Sequence, residues 1–159
     1  MSMVLLALLL LAFGAGTSVL LARRRSVALA AALLFSVFAS IACVAGALQT
    51  LRGSLSGPSA FHWLLPLGEF RLALDGLSAW FLLMIGIVGL ATAIYSWGYL
   101  QGGKGSDANR AYPPLFCTLL AAMVLTVCAG DALVFLIGWE LTSLSAFFLV
   151  GLNAQDPQA

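Results

Sequence analysis

The stretch Ala132-Leu133-Val134-Phe135-Leu136-Ile137-Gly138-Trp139-Glu140-Leu141-Thr142-Ser143-Leu144-Ser145-Ala146-Phe147-Phe148-Leu149-Val150-Gly151-Leu152 carries a single charge, Glu140, in an otherwise uncharged, mostly apolar run. A run of about 18 or more such residues reads as a transmembrane helix, because in lipid only a helix or closed barrel satisfies every backbone amide and carbonyl. Working outward, the same reading applies to approximately Met3 to Ala22, Val27 to Leu51, Leu77 to Leu100 and Pro113 to Gly130. The predicted fold class is an all-α transmembrane protein with five membrane-spanning helices, forming a single domain over residues 1–159.

Composition agrees. Residues of the AVILMFWYC set make up 62% of the 159 and charged residues 8%, with a mean hydropathy of +1.08. A soluble domain carries about a quarter charged residues. A net charge of +1 and a pI near 7.7 leave no electrostatic footprint for nucleic acid. The three cysteines, all in apolar stretches, support neither a disulfide framework nor a zinc site. Cys117 and Cys128 fall on about one helical face, and packing is the expected role.

Charge placement sets the expected orientation. Met-Ser-Met is uncharged and Arg23, Arg24 and Arg25 follow the first apolar run, the reverse of a cleaved secretory signal. In the short loops Arg23, Arg24, Arg25, Lys104 and Arg110 fall on one side, Arg52 and Arg71 on the other. The positive-inside rule then places the arginine run in the cytoplasm and the N-terminus outside.

The one long connection, Arg52 to Gly76, contains the apolar pieces Phe61 to Leu65 and Phe70 to Leu74 around Pro66-Leu67-Gly68-Glu69. Phe70, Leu72 and Leu74 alternate with Arg71, Ala73 and Asp75, the period of a half-exposed strand, so a short external hairpin is expected between helices 2 and 3. His62, in this connection, lacks companions at ligand spacing, and no metal role is expected. Pro113 and Pro114 suit a first helical turn, Gly102 to Asp107 a flexible cytoplasmic turn, and Asp131 the N-cap of the fifth helix. Ala42 with Gly46 and Gly89 with Ala93 put small residues at four-residue spacing, which lets helices approach closely.

Glu140 is the one charge in the wrong place. Eight residues beyond Ala132, it sits roughly 12 Å along the helix, near the middle of a hydrocarbon layer about 30 Å thick. An ionised, unpaired carboxylate there costs several kcal/mol, so it is held neutral, hydrated, or paired with a cation. No Lys or Arg of this chain lies at that depth. Three uses fit: a proton relay, a protonated hydrogen-bonding glue between helices, and a ligand counter-ion. Ser143 one turn on, with Thr142 and Ser145 flanking, is expected to help hold water near the carboxyl.

The run Gly130 to Gly151, above all Trp139-Glu140 followed by a hydroxyl-rich segment and Phe148-Leu149-Val150-Gly151, resembles the fifth helix of the antiporter-like subunits. These belong to respiratory complex I, multi-subunit cation/proton antiporters and group 4 membrane-bound hydrogenases. Phe70-Arg71-Leu72-Ala73-Leu74-Asp75-Gly76-Leu77-Ser78-Ala79-Trp80-Phe81 and Tyr95-Ser96-Trp97-Gly98-Tyr99-Leu100 resemble that family's passage into, and the cytoplasmic end of, its third helix. The resemblance implies that Glu140 matches the family's essential glutamate, a proton relay paired with a lysine on a broken seventh helix. It also implies a multi-pass protein of a bacterial or archaeal cell inner membrane.

Family members have about fourteen helices in two inverted repeats, whereas this sequence matches the front part. Two accounts follow. In one, the chain contributes to proton or Na⁺ translocation with other membrane subunits of a complex I-like, hydrogenase or antiporter assembly. In the other, it is a truncated non-conducting scaffold that anchors partners. A third class, a small transporter assembling from identical chains, would reveal itself by what co-purifies. No cofactor is expected in this chain, since it has no iron–sulfur cysteine pattern, no histidine inside a span and no glycine-rich nucleotide loop.

Overall fold

The computed structural model describes residues 1–53, 59–62, 69–102 and 108–153. Five helices and one strand pair follow in chain order: α1 (Ser2–Leu20), α2 (Arg25–Leu51), β1 (Ser59–His62), β2 (Glu69–Leu72), α3 (Gly76–Gly102), α4 (Ala108–Val127) and α5 (Ala132–Asn153). Among the described residues four helices, all but α4, are long and apolar enough to cross a membrane, and α4 carries a shorter apolar stretch, Ala111–Val127. The protein is all-α in its membrane-spanning part, as the sequence predicts.

The helices do not contribute equally to the core. Helix α2 packs against α1, α3 and α4, and half of its span is buried; α5 packs chiefly on α4, with 17% of its span buried. Small side chains make the centre possible: Ala7 of α1, Ala32, Ala39, Cys43 and Ala47 of α2, Ala79 of α3 and Cys117 of α4 are all buried. Close approach supplies dispersion contacts that replace the hydrophobic drive absent between helices in lipid. The small pairs expected from spacing take part: Ala42 and Ala93 are buried, a Cβ on Gly46 would stand 3.1 Å from the Cβ of Met3, and one on Gly89 2.9 Å from the Ser40 hydroxyl. Gly86 is a further contact, its added Cβ 3.0 Å from the Ser40 carbonyl oxygen.

Three buried hydroxyls are satisfied within their own helices. Ser18 donates to the Ala15 carbonyl at 2.7 Å, Ser36 to Leu33 at 2.8 Å and Thr50 to Gly46 at 3.0 Å, which removes the cost of an unpaired donor in an apolar medium. Helix α2 ends at Leu51, followed by the capping residue Arg52 and then Gly53 at φ +90. Glycine suits that left-handed position because it has no Cβ to clash.

The expected hairpin is present. β1 and β2 pair antiparallel, Ser59 opposite Leu72 and His62 opposite Glu69, so the first strand begins earlier than Phe61 and the second ends at Leu72. Residues 63–68, which include the end of the expected piece Phe61 to Leu65 and Pro66-Leu67-Gly68, lie outside the described residues. Beside β1, the end of β2 also meets the α4–α5 connection. The Gly130 amide donates to the Arg71 carbonyl at 2.8 Å and the Ala73 amide to the Cys128 carbonyl at 2.9 Å, with Leu72 opposite Ala129. Leu72 and Leu74 turn inward while Arg71 is exposed, the alternation read from the sequence.

One boundary differs. Helix α4 begins at Ala108, so Pro113 and Pro114 lie inside it rather than in its first turn. Each proline holds a helical φ but loses the bond its amide would donate four residues back, and its ring crowds that carbonyl, here near the helix start. That start is anchored sideways: Tyr112 stacks on Phe116 at 5.6 Å and its hydroxyl is 2.7 Å from that of Ser96 on α3. Gly102, expected in the turn, is the last residue of α3, whereas residues 103–107, including Lys104, and the residues beyond Asn153 lie outside the described residues.

Candidate functional site

The site is built from the start of α5. The Asp131 carboxylate accepts the Leu133 amide at 2.8 Å and its carbonyl accepts the Phe135 amide at 3.0 Å, the cap expected from the sequence. From there Val134, Gly138 and Ser145 form the buried stripe that faces α4. The contact at Gly138 is intimate, since an added Cβ would stand 2.5 Å from the Thr126 hydroxyl oxygen and 2.9 Å from its backbone nitrogen.

Two residues further along a helix is a turn of about 200°. Glu140 therefore points away from α4 and is exposed on the surface of the chain. Its strip neighbours, four residues back, four on and seven on, are Leu136, Leu144 and Phe147, exposed at 56%, 51% and 71%. An ionised carboxylate on such a strip of large apolar side chains would be costly against bare lipid.

Beside this strip, a groove of about 450 Å³ opens between α3, α4 and α5. Phe81, Met84 and Val88 wall one side and Met123, Thr126, Trp139, Thr142 and Ser143 the other. Its hydroxyls are partly committed: Thr126 donates to Ala122 and Thr142 to Gly138, both at 2.8 Å. The hydroxyl cluster expected around Glu140 is split. Ser143 lies about 60° round from Glu140, whereas Thr142 turns into the groove and Ser145 into the α4 seam, because residues two and five apart do not share a helix face. Among the described residues no group of three His, Cys, Asp or Glu stands together. Thr126 carried no signal in the sequence; its role depends on which helix faces Gly138.

These features define a multi-pass α-helical membrane protein with a carboxylate partway along one candidate span, exposed on the surface of the chain. Residues 65–110 match the family model described as NADH-Ubiquinone oxidoreductase (complex I), chain 5 N-terminus. The match takes in Phe70 to Phe81 and Tyr95 to Leu100, and Glu140 lies beyond it. The chain is 33% identical over 117 residues to an uncharacterized protein of Mycobacterium tuberculosis strain H37Rv, covering 72% of this chain and 18% of that protein. It is 36% identical over 89 residues to NADH-quinone oxidoreductase subunit L of Escherichia coli K12, covering 56% and 14%. With Na⁺/H⁺ antiporter subunit A1 of Staphylococcus aureus strain JH9 it shares 32% over 107 residues, covering 65% and 13%. The chain is thus similar in sequence to antiporter-like membrane subunits, and it spans less than a fifth of the length of these relatives.

Proposed function

We propose that the chain forms part of a membrane-arm subunit of a redox-driven or antiporter complex, with Glu140 carrying a proton, or exchanging it for Na⁺, within the bilayer. The observation that carries the reading is the placement of Glu140 on the outward, otherwise apolar strip of α5. The physical requirement is a covering element that brings a cation, a hydrogen-bond partner or water to the carboxylate. A group whose charge state depends on such a neighbour takes up and releases a proton when that neighbour moves. The partners in this reading are other membrane subunits of a complex I-like, hydrogenase or cation/proton antiporter assembly in a bacterial or archaeal cell inner membrane. The chain lies with its N-terminus outside and the arginine turn in the cytoplasm. Redox chemistry and its cofactors belong to those partners.

The test is proton uptake by inverted native-membrane vesicles carrying the full chain with Glu140→Gln. Transport is expected to fall by at least about tenfold while the chain still co-purifies with its partners; wild-type transport overturns the reading. The exposed apolar face of α5 supports a second reading, a non-conducting scaffold. There Glu140→Gln is silent, and bulky residues at Gly89 or Gly138 block co-purification.

A further inference from the structure

Resting on the relay reading of Glu140, we propose that Thr126 and Gly138 are positioning residues for that carboxylate, forming a seat that sets the rotation of α5. The argument starts from distance. An added Cβ at Gly138 would lie 2.5 Å from Thr126 Oγ1, 2.9 Å from its backbone nitrogen and 3.1 Å from its Cα, the closest approach among the described glycines. Two of these atoms are backbone and have no means of yielding. The third is held in place, because the Thr126 hydroxyl donates to the Ala122 carbonyl at 2.8 Å. Swinging it away breaks a bond that lipid does not replace.

A second point fixes the same helix. The Gly130 amide is tied to the Arg71 carbonyl, and Asp131 caps the first turn. With α5 held at its start and again at Gly138, its rotation about its own axis is determined, and Glu140 is aimed outward, about 200° round from the seat. A side chain at Gly138 forces α5 to slide off or roll on α4, and Glu140, at a larger radius than the seat, moves further than the backbone does. No charge from the packed helices offsets this movement. α3 has no charged residue, and the single charge of α4, Arg110, lies in its first turn.

The readout is the infrared carboxyl band of Glu140, assigned by its loss in Glu140→Gln in native membranes containing the full chain, alongside vesicle proton uptake. The band's frequency reports the hydrogen bonding of the carboxyl, so Gly138→Ala is expected to shift it and to cut uptake about tenfold, with chain level and helical content unchanged. Gly151→Ala, on the same helix with nothing within 4 Å of the added Cβ, should leave band and uptake as in wild type. If Gly138→Ala does not accumulate, Thr126→Ile, which crowds the same contact from the other side, carries the same expectation. An unshifted band in the crowded variant overturns the proposal. Wild-type uptake in Glu140→Gln would instead overturn the relay reading, and the band shift would still decide whether the seat positions the carboxylate.

Discussion

At the scale of single residues, two aspartates do parallel work at the hairpin end of the bundle. Asp75 accepts the Ser78 amide at 2.7 Å as Asp131 accepts that of Leu133. The Ser78 amide, and then its hydroxyl, hold the Asp75 carboxyl below the usual carboxylate range. Replacing it by alanine should cost about 0.5–2 kcal/mol near neutral pH, while Asp75→Asn, also a capping residue, should stay close to wild type. The sign with pH follows from the lowered pKa. The ionised cap's advantage is full above the unfolded value of about 3.9 and disappears as pH falls through the lower folded one. Thermal unfolding in detergent checks this, and an alanine penalty as large at about pH 2 as at pH 7 would deny the role of the ionised cap. The Asp131 cap was read from the sequence and that of Asp75 was not, although both depend only on neighbours two or three positions along. The direction of Glu140 was not legible, because a helix face has no outside until another helix defines its inside.

At the scale of elements, close helix contacts separate glycines that look alike in the sequence. Gly86 faces the backbone of Ser40 and Val44 on α2, while Gly98, in the same helix, has nothing within 4 Å. Gly86→Leu is expected to lower stability by about 1–3 kcal/mol or more through overpacking, and Gly98→Ala to stay within about 0.5 kcal/mol. Thermal melts of the two variants side by side distinguish these outcomes; equal melts would mean that α2 and α3 do not meet at Gly86. The hairpin offers a second check. Hydrogen exchange should find the Ala73 and Gly130 amides protected, since each is bonded across the β2 to α4–α5 contact. Free exchange at both would remove that contact. Strand alternation around Phe70 to Leu74 was visible from period two, whereas the pairing of β2 with a loop some 55 residues later was beyond any local pattern.

At the scale of the whole molecule, the bundle is lopsided: α2 is enclosed by three helices and α5 is carried on one. Cys43, Cys117 and Cys128 are free and lie in the enclosed part. A water-soluble maleimide should leave all three unmodified in native membranes and label them after denaturation in detergent, and rapid native labelling would show that the packing around α2 is wrong. The number of long helices, their order, the hairpin and the presence of one carboxylate at mid-span were determined by sequence alone. They follow from hydropathy, charge position and short-range capping, all of which act along the chain. Which glycines touch, that Thr126 seats Gly138, and that Glu140 looks away from the core were decided only by tertiary structure, because each depends on the rotation of one helix against another. That rotation is set by contacts between residues far apart in the chain.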